Sequence, residues 1–144
     1  MKKLLFLALI ISFFACSKAE DEEMTPDPTD PGTGTFNQAA ATLISQGTFS
    51  GTPGHAVSGS AKLYEFQGKR YIYLENFSTT GGPDLRVYLA TNTAATQFVS
   101  LGNLRANTGN QAYVINNPPD FTQYRNVLIW CQQFTVLFGA STLN

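Results

Sequence analysis

Arg70-Tyr71-Ile72-Tyr73-Leu74-Glu75-Asn76-Phe77 and Asp84-Leu85-Arg86-Val87-Tyr88-Leu89 decide the fold class. In the second stretch Leu85, Val87 and Leu89 alternate with Asp84, Arg86 and Tyr88, and the first alternates in the same way. A period of two sends successive side chains to opposite faces of a strand, and the aromatic and β-branched content suits a pleated, half-buried surface. Working outward, turn-forming clusters divide the chain at Gly51-Thr52-Pro53-Gly54, Gln67-Gly68, Thr80-Gly81-Gly82-Pro83, Asn107-Thr108-Gly109-Asn110 and Asn116-Asn117-Pro118-Pro119. Their spacing is that of short antiparallel strands, and no strand–helix–strand rhythm points to a parallel sheet. The expected class is all-β, an antiparallel β-sandwich of about eight strands.

That pattern occupies residues 46–144, enough chain for one modest core and no second domain. Within it six basic residues (Lys62, Lys69, Arg70, Arg86, Arg105, Arg125) face four acidic ones (Glu65, Glu75, Asp84, Asp120), so 6 − 4 gives a formal charge of +2. The basic residues are scattered along the sequence, where a nucleic-acid surface requires them concentrated. Nucleic acid is therefore not an expected partner.

Residues 1–15 form a different kind of segment. Lys2 and Lys3 precede an apolar run from Leu4 to Phe14, then Ala15 and Cys16. The run is shorter than the roughly 20 residues of a spanning helix and has the order of a lipoprotein signal peptide. Cleavage before Cys16 leaves that cysteine to carry lipid, which anchors the protein to a membrane. Residues 16–45 are then an acidic and proline-rich tether, beginning Ser17-Lys18-Ala19-Glu20-Asp21-Glu22-Glu23. The acidic run resembles the surface-export signal of Bacteroidetes-type lipoproteins, and the alternative is a solvated spacer. From Met24 to about Gly34 there is almost nothing to bury against a backbone ordering cost of about 1 to 2 kcal/mol per residue. Within Phe36 to Ser45, the apolar residues Phe36, Ala40, Leu43 and Ile44 are close to helical spacing, a short helix or lead-in. The expected location is an outer membrane, with the domain facing the periplasm or the cell surface.

With Cys16 assigned to lipid, Cys131 is the one remaining thiol, and no intramolecular disulfide is available. It ends the apolar run Val127-Leu128-Ile129-Trp130-Cys131, and strand alternation puts it on the face of Val127 and Ile129. Facing inward it is a small hydrophobe in a core. A reactive thiol instead needs a cation, a helix N-terminus or a metal nearby, with some exposure. Trp130, Gln132 and Gln133 supply none of these, which leaves His55, the only histidine.

Ligand counting restricts the cofactor. Blue copper wants two histidines, and the sequence offers one; covalent c-type haem wants a Cys-x-x-Cys-His motif, which is absent. Iron–sulfur clusters and structural zinc need several thiolates or imidazoles. A noncovalent prosthetic group held by Cys131 or His55 is not excluded by this count. Asp84, in the turn Gly82-Pro83-Asp84, is of a residue type that bonds turn amides, and the dispersed carboxylates do not make up a calcium site. No hydrolytic or transferase site is recognisable, since there is no nucleophile elbow and only one histidine to serve as base. Tyr64, Tyr71, Tyr73, Phe77, Tyr88 and Trp130 are typical strand residues that also suit a carbohydrate- or protein-binding face.

Several motifs recur in a set order: Gly47-Thr48-Phe49 with His55 and Ser58-Gly59, Leu74-Glu75-Asn76-Phe77, Gly82-Pro83-Asp84-Leu85-Arg86-Val87-Tyr88-Leu89, Leu101-Gly102, and Gly109-Asn110-Gln111-Ala112-Tyr113. They are followed by Val127 to Cys131 and by Phe134 to Ala140. Together they resemble the DM-thirteen electron-transfer domain across nearly all of the folded region. The resemblance implies an extracellular β-sandwich-like domain that passes electrons through its cysteine, as a bare thiol or as a ligand to a prosthetic group. It also implies a redox partner, and the place of His55 in the motif makes it the candidate to activate Cys131 or share a metal with it if the fold brings the two together.

Overall fold

The computed structural model describes residues 36–144, so the signal segment 1–15, Cys16 and the tether up to residue 35 lie outside the described residues. Nine strands follow a single 3-10 turn at Gln38–Ala40: β1 (Thr42–Thr48), β2 (Ser50–Gly51), β3 (Val57–Phe66), β4 (Lys69–Thr79), β5 (Leu85–Ala90), β6 (Phe98–Asn103), β7 (Thr108–Ile115), β8 (Asn126–Cys131) and β9 (Val136–Thr142). They pair antiparallel throughout, in one sheet of order β1-β3-β4-β7 and another of order β2-β9-β8-β5-β6. The all-β sandwich expected from the alternation is present, with the two-residue β2 bringing the strand number above eight. Among the described residues no helix is long and apolar enough to cross a membrane.

Local sequence sets the hairpin between β3 and β4. Phe66 pairs with Lys69, and the two residues between them, Gln67 and Gly68, have φ of 50° and 75°. Both are left-handed, the backbone of a two-residue turn whose twist matches the flanking strands, and Gly68 adopts it without a Cβ penalty. At the other side of the sandwich the chain changes sheets between β1 and β2 at Phe49, a buried residue whose ring meets Phe77 edge-on at 5.4 Å. The inserted ring holds the crossing in place, because exposing it again means giving up a large apolar burial.

Alternation then builds one core. Ala61, Leu63, Ile72, Leu74, Phe77, Tyr113 and Ile115 point inward from the first sheet, opposite Leu85, Val87, Leu89, Val127, Ile129, Cys131, Phe138 and Leu143. Each fully buried Leu, Ile or Val contributes about 1.5 to 3 kcal/mol relative to exposure. Tyr113 is fully buried, and its hydroxyl is satisfied: it donates to Gln111 Oε1 at 2.8 Å and accepts from the Arg105 amide at 3.1 Å. Burial pushes its ionisation upward all the same.

The outer faces are not bare. On the second sheet Tyr88, Ala90 and Leu128 form a small buried cluster under Ala95, Trp130, Leu137 and Ala140. On the first, the Phe36 ring sits among Tyr64, Phe66, Tyr71 and Tyr73, with centroids 4.9 to 5.8 Å away. Beside it Gln38 donates to the Tyr64 hydroxyl and to Glu75, which also pairs with Lys62 at 2.5 Å. Phe36 and Gln38, which precede the boundary drawn at Gln46 in the sequence, thus pack on the first sheet. The helix-like spacing of Phe36, Ala40, Leu43 and Ile44 yields only the 3-10 turn, because from Thr42 onward the chain pairs with β3.

Candidate redox site

Cys131 is the last residue of β8, paired with Leu85 of β5 on one side and Val136 of β9 on the other. Its thiol is free, and the residue is 0% exposed, within the main core. The inward placement follows from its sharing a face with Val127 and Ile129, as the alternation predicts. Access therefore limits chemistry at this sulfur: thiol–disulfide exchange needs a partner sulfur to approach it directly.

The turn Gly82-Pro83-Asp84 lies against the same end of the sandwich. The Gln132 amide, next to Cys131, donates to the Asp84 carbonyl at 2.9 Å. The Asp84 carboxylate takes the Arg86 Nε at 2.6 Å, and this hydrogen bond raises the guanidinium's ionisation further. Gly82 is crowded: a Cβ there would come within 2.9 Å of both Leu85 Cδ2 and Phe138 Cζ, and those side-chain ends would have to shift. The turn therefore packs its backbone on the side chains of Leu85, the strand partner of Cys131, and of Phe138.

Phe138 connects this arrangement to His55. The imidazole stacks on the phenyl ring with centroids 3.7 Å apart and planes 15° from parallel. The loop carrying it is anchored to β9: the Thr52 amide donates to the Phe138 carbonyl at 2.9 Å, its hydroxyl to the Leu137 carbonyl at 2.9 Å, and the His55 amide to the Thr52 carbonyl at 2.9 Å. His55 is half-buried and lines an open pocket of about 380 Å³ with Thr52, Ser58, Ser78 and Thr79.

The fold thus joins Cys131, the Gly82-Pro83-Asp84 turn and His55 through Leu85 and Phe138, and no hydrogen bond links His55 to Cys131. Among the described residues no group of three or more His, Cys, Asp or Glu side chains is placed to hold a metal ion. Phe138 is the linking residue that sequence reasoning missed. Its place in the run Phe134 to Ala140 was visible, but strand alternation carries no sign of which loop crosses over it. On the outer face of the second sheet Phe98, also missed, joins Tyr88 and Trp130, with the Tyr88 ring 4.2 Å from Phe98 and 6.2 Å from Trp130.

These features make a small antiparallel β-sandwich domain in which, among the described residues, a free cysteine closes a central strand with the Gly-Pro-Asp turn against it. The family model described as Electron transfer DM13 matches residues 48–143, and the chain belongs to that family. No curated protein and no solved structure matches.

Proposed function

We propose that the protein is an extracytoplasmic electron-transfer domain, lipid-anchored to an outer membrane through Cys16 and facing the periplasm or the cell surface. Cys131 is the redox group in this reading, as a thiol or as a ligand to a noncovalently held prosthetic group, and an extracellular redox protein is its partner. The observation that carries it is the packing of the Gly82-Pro83-Asp84 turn against Leu85, the strand partner of Cys131, and against Phe138, on which His55 stacks, in a chain of the Electron transfer DM13 family. Because the sulfur is enclosed, exchange chemistry requires the β8–β9 hairpin to open, and the exposed turn residue Phe134 makes that hairpin the natural point of entry.

A second reading is a cell-surface binding module without redox chemistry, with Cys131 as core packing. The complete burial of Cys131 in the main core and the Tyr88–Phe98–Trp130 stack on the outer face favour it. Thiol alkylation of the folded full chain, together with absorbance spectra before and after reduction, separates the two. The redox reading expects either a chromophore that changes on reduction or labelling of Cys131 well above the rate set by global unfolding. A folded protein with neither would leave only the binding module.

A further inference from the structure

Four strands form the open edges of the two sheets, β1 and β7 in one and β2 and β6 in the other. An open edge presents unpaired N–H and C=O groups and templates a further strand unless it is short, charged, bulged or covered. Three of the four edges are each short or covered in part. β1 is tied to the C-terminus, with the amides and carbonyls of Gln46 and Asn144 bonded reciprocally at 3.3 and 3.0 Å. β2 has only two residues. Along β7, Arg105 Nη1 donates to the Ala112 carbonyl at 2.7 Å, and the Gln111 amide grips both backbone groups of Ala106, which lays the preceding loop against the strand.

β6 is different. It reads Phe98-Val99-Ser100-Leu101-Gly102-Asn103, with no charge and no proline, and Phe98 is 46% exposed. The Thr91 amide donates to the Gln97 carbonyl at 3.0 Å, so the backbone groups of Gln97 and Val99 face β5 while those of Phe98 and Ser100 face away. Beyond Ser100 the register shifts, and the Gly102 amide folds onto Ser100 Oγ at 3.3 Å. The bulge restricts the usable edge to Phe98–Ser100.

The geometry points to a second copy of this chain as the occupant of that edge. An antiparallel pairing with its two-fold axis through Val99 sets Phe98 opposite Ser100 of the partner subunit, and Ser100 opposite the partner subunit's Phe98. Two reciprocal pairs of hydrogen bonds then satisfy every outward-facing group of Phe98 and Ser100 in both copies. Self-pairing fits better than a foreign strand because one short segment satisfies both edges at once, as an isologous contact requires. Charge does not oppose it: the strand is neutral, and the nearby Asp84 and Arg86 are already paired with each other. The Phe98 rings flank the axis on the outer face, each already stacked on its own Tyr88. The two five-stranded sheets become one.

The test uses the full chain in its membrane. Val99→Cys places two thiols on the axis with Cα atoms about 4.5 Å apart, within disulfide range, while the unsubstituted chain, whose Cys131 is buried, serves as the control. Mild oxidation is expected to give a covalent homodimer on a non-reducing gel only with Val99→Cys. Adding Ser100→Pro removes an outward-facing N–H without touching the bonds to β5, at the loss of the Gly102–Ser100 Oγ bond, and the dimer band is expected to disappear while the chain still melts cooperatively. A folded Val99→Cys chain that stays monomeric or cross-links to other proteins overturns the proposal. So does a dimer yield that Ser100→Pro leaves intact. Should Val99→Cys fail to fold, the mass of the unsubstituted chain in detergent decides: about twice the monomer is expected, falling to monomer with Ser100→Pro, and a monomer at tens of micromolar overturns the pairing.

Discussion

The His55 imidazole lies face to face with the Phe138 ring, and Phe138 presses on Gly82. One phenyl group thereby joins the loop that follows β2, strand β9 and the Gly-Pro-Asp turn. Deleting it by Phe138→Ala is expected to cost about 3 to 5 kcal/mol, the range for a buried aromatic. His55→Ala, at a half-buried loop position, should cost far less. A double-mutant cycle in urea should return a coupling of about 0.5 to 1.5 kcal/mol. Strict additivity would mean that the stack contributes nothing.

Cys131 offers a comparison that isolates burial from chemistry. Cys131→Ala removes a sulfur from a packed site and should cost about 1 to 3 kcal/mol. Cys131→Ser is nearly isosteric, yet it places a hydroxyl in the apolar core beside its strand partner Leu85, where an unpaired group carries a desolvation penalty of about 1 to 3 kcal/mol. Serine should therefore be no better tolerated than alanine, although it is closer in shape. Denaturation midpoints of the two variants check this, and a serine variant as stable as wild type would show that water or a partner group reaches the position.

The strands were legible because their alternation is dictated by burial on one face. Leu85, Val87 and Leu89 are all core residues, and so are Val127, Ile129 and Cys131. The same alternation put Tyr88 and Trp130 together on the outer face. Other features depended on partners remote in sequence. Thr42–Thr48 is a strand because β3 supplies its hydrogen bonds, whatever the spacing of its own apolar residues suggests. The His55–Phe138 stack joins residues 83 positions apart, by 138 − 55, and a single sequence has no periodicity that reports such a pairing. The Gly-Pro-Asp turn could be read as a turn, but the crowding at Gly82 arises from Leu85 and Phe138 packed above it.

That crowding makes Gly82→Ala a sharp probe. The added methyl must displace two core side chains whose nearest atoms would be 2.9 Å away. A loss of about 1 to 3 kcal/mol is expected, as for overpacking elsewhere. Gly54→Ala is not an equivalent control, since Gly54 has φ of 86° and strain there is conformational. The better control is Ser78→Ala on the exposed face of β4, expected within about 0.5 kcal/mol of wild type. Equal stability of the Gly82 and Ser78 variants would rule out the close packing.

Glu75 links stability to pH. Hydrogen bonds from Lys62 and then Gln38 hold its carboxylate below the ordinary range. A folded-state value below the unfolded one means that the group's contribution is present above the unfolded carboxylate range and is lost as pH falls through the depressed value. The pair is partly solvent-exposed, so the contribution is small, about 1 kcal/mol or less. Glu75→Gln should lower the neutral plateau by that amount and flatten the acid limb of a stability–pH curve, so that variant and wild type converge at low pH. An acid limb identical to wild type would remove Glu75 from the account.

Phe36 should matter more than its place beside the tether suggests. Its ring fills the space among Tyr64, Phe66, Tyr71 and Tyr73, and Gln38, two residues on, is bonded to Tyr64 and Glu75. If this strap belongs to the fold, Phe36→Ala uncovers the aromatic face and releases the Gln38 turn along with it. The expected loss is about 1 to 3 kcal/mol, less than for a core phenylalanine because the site is only partly closed. Amide exchange should rise at Gln38–Ala40 and at the start of β1, while β5, β8 and β9 keep their protection. A chain cut just before Thr42 that matched the stability of the full domain would show instead that the fold begins at β1.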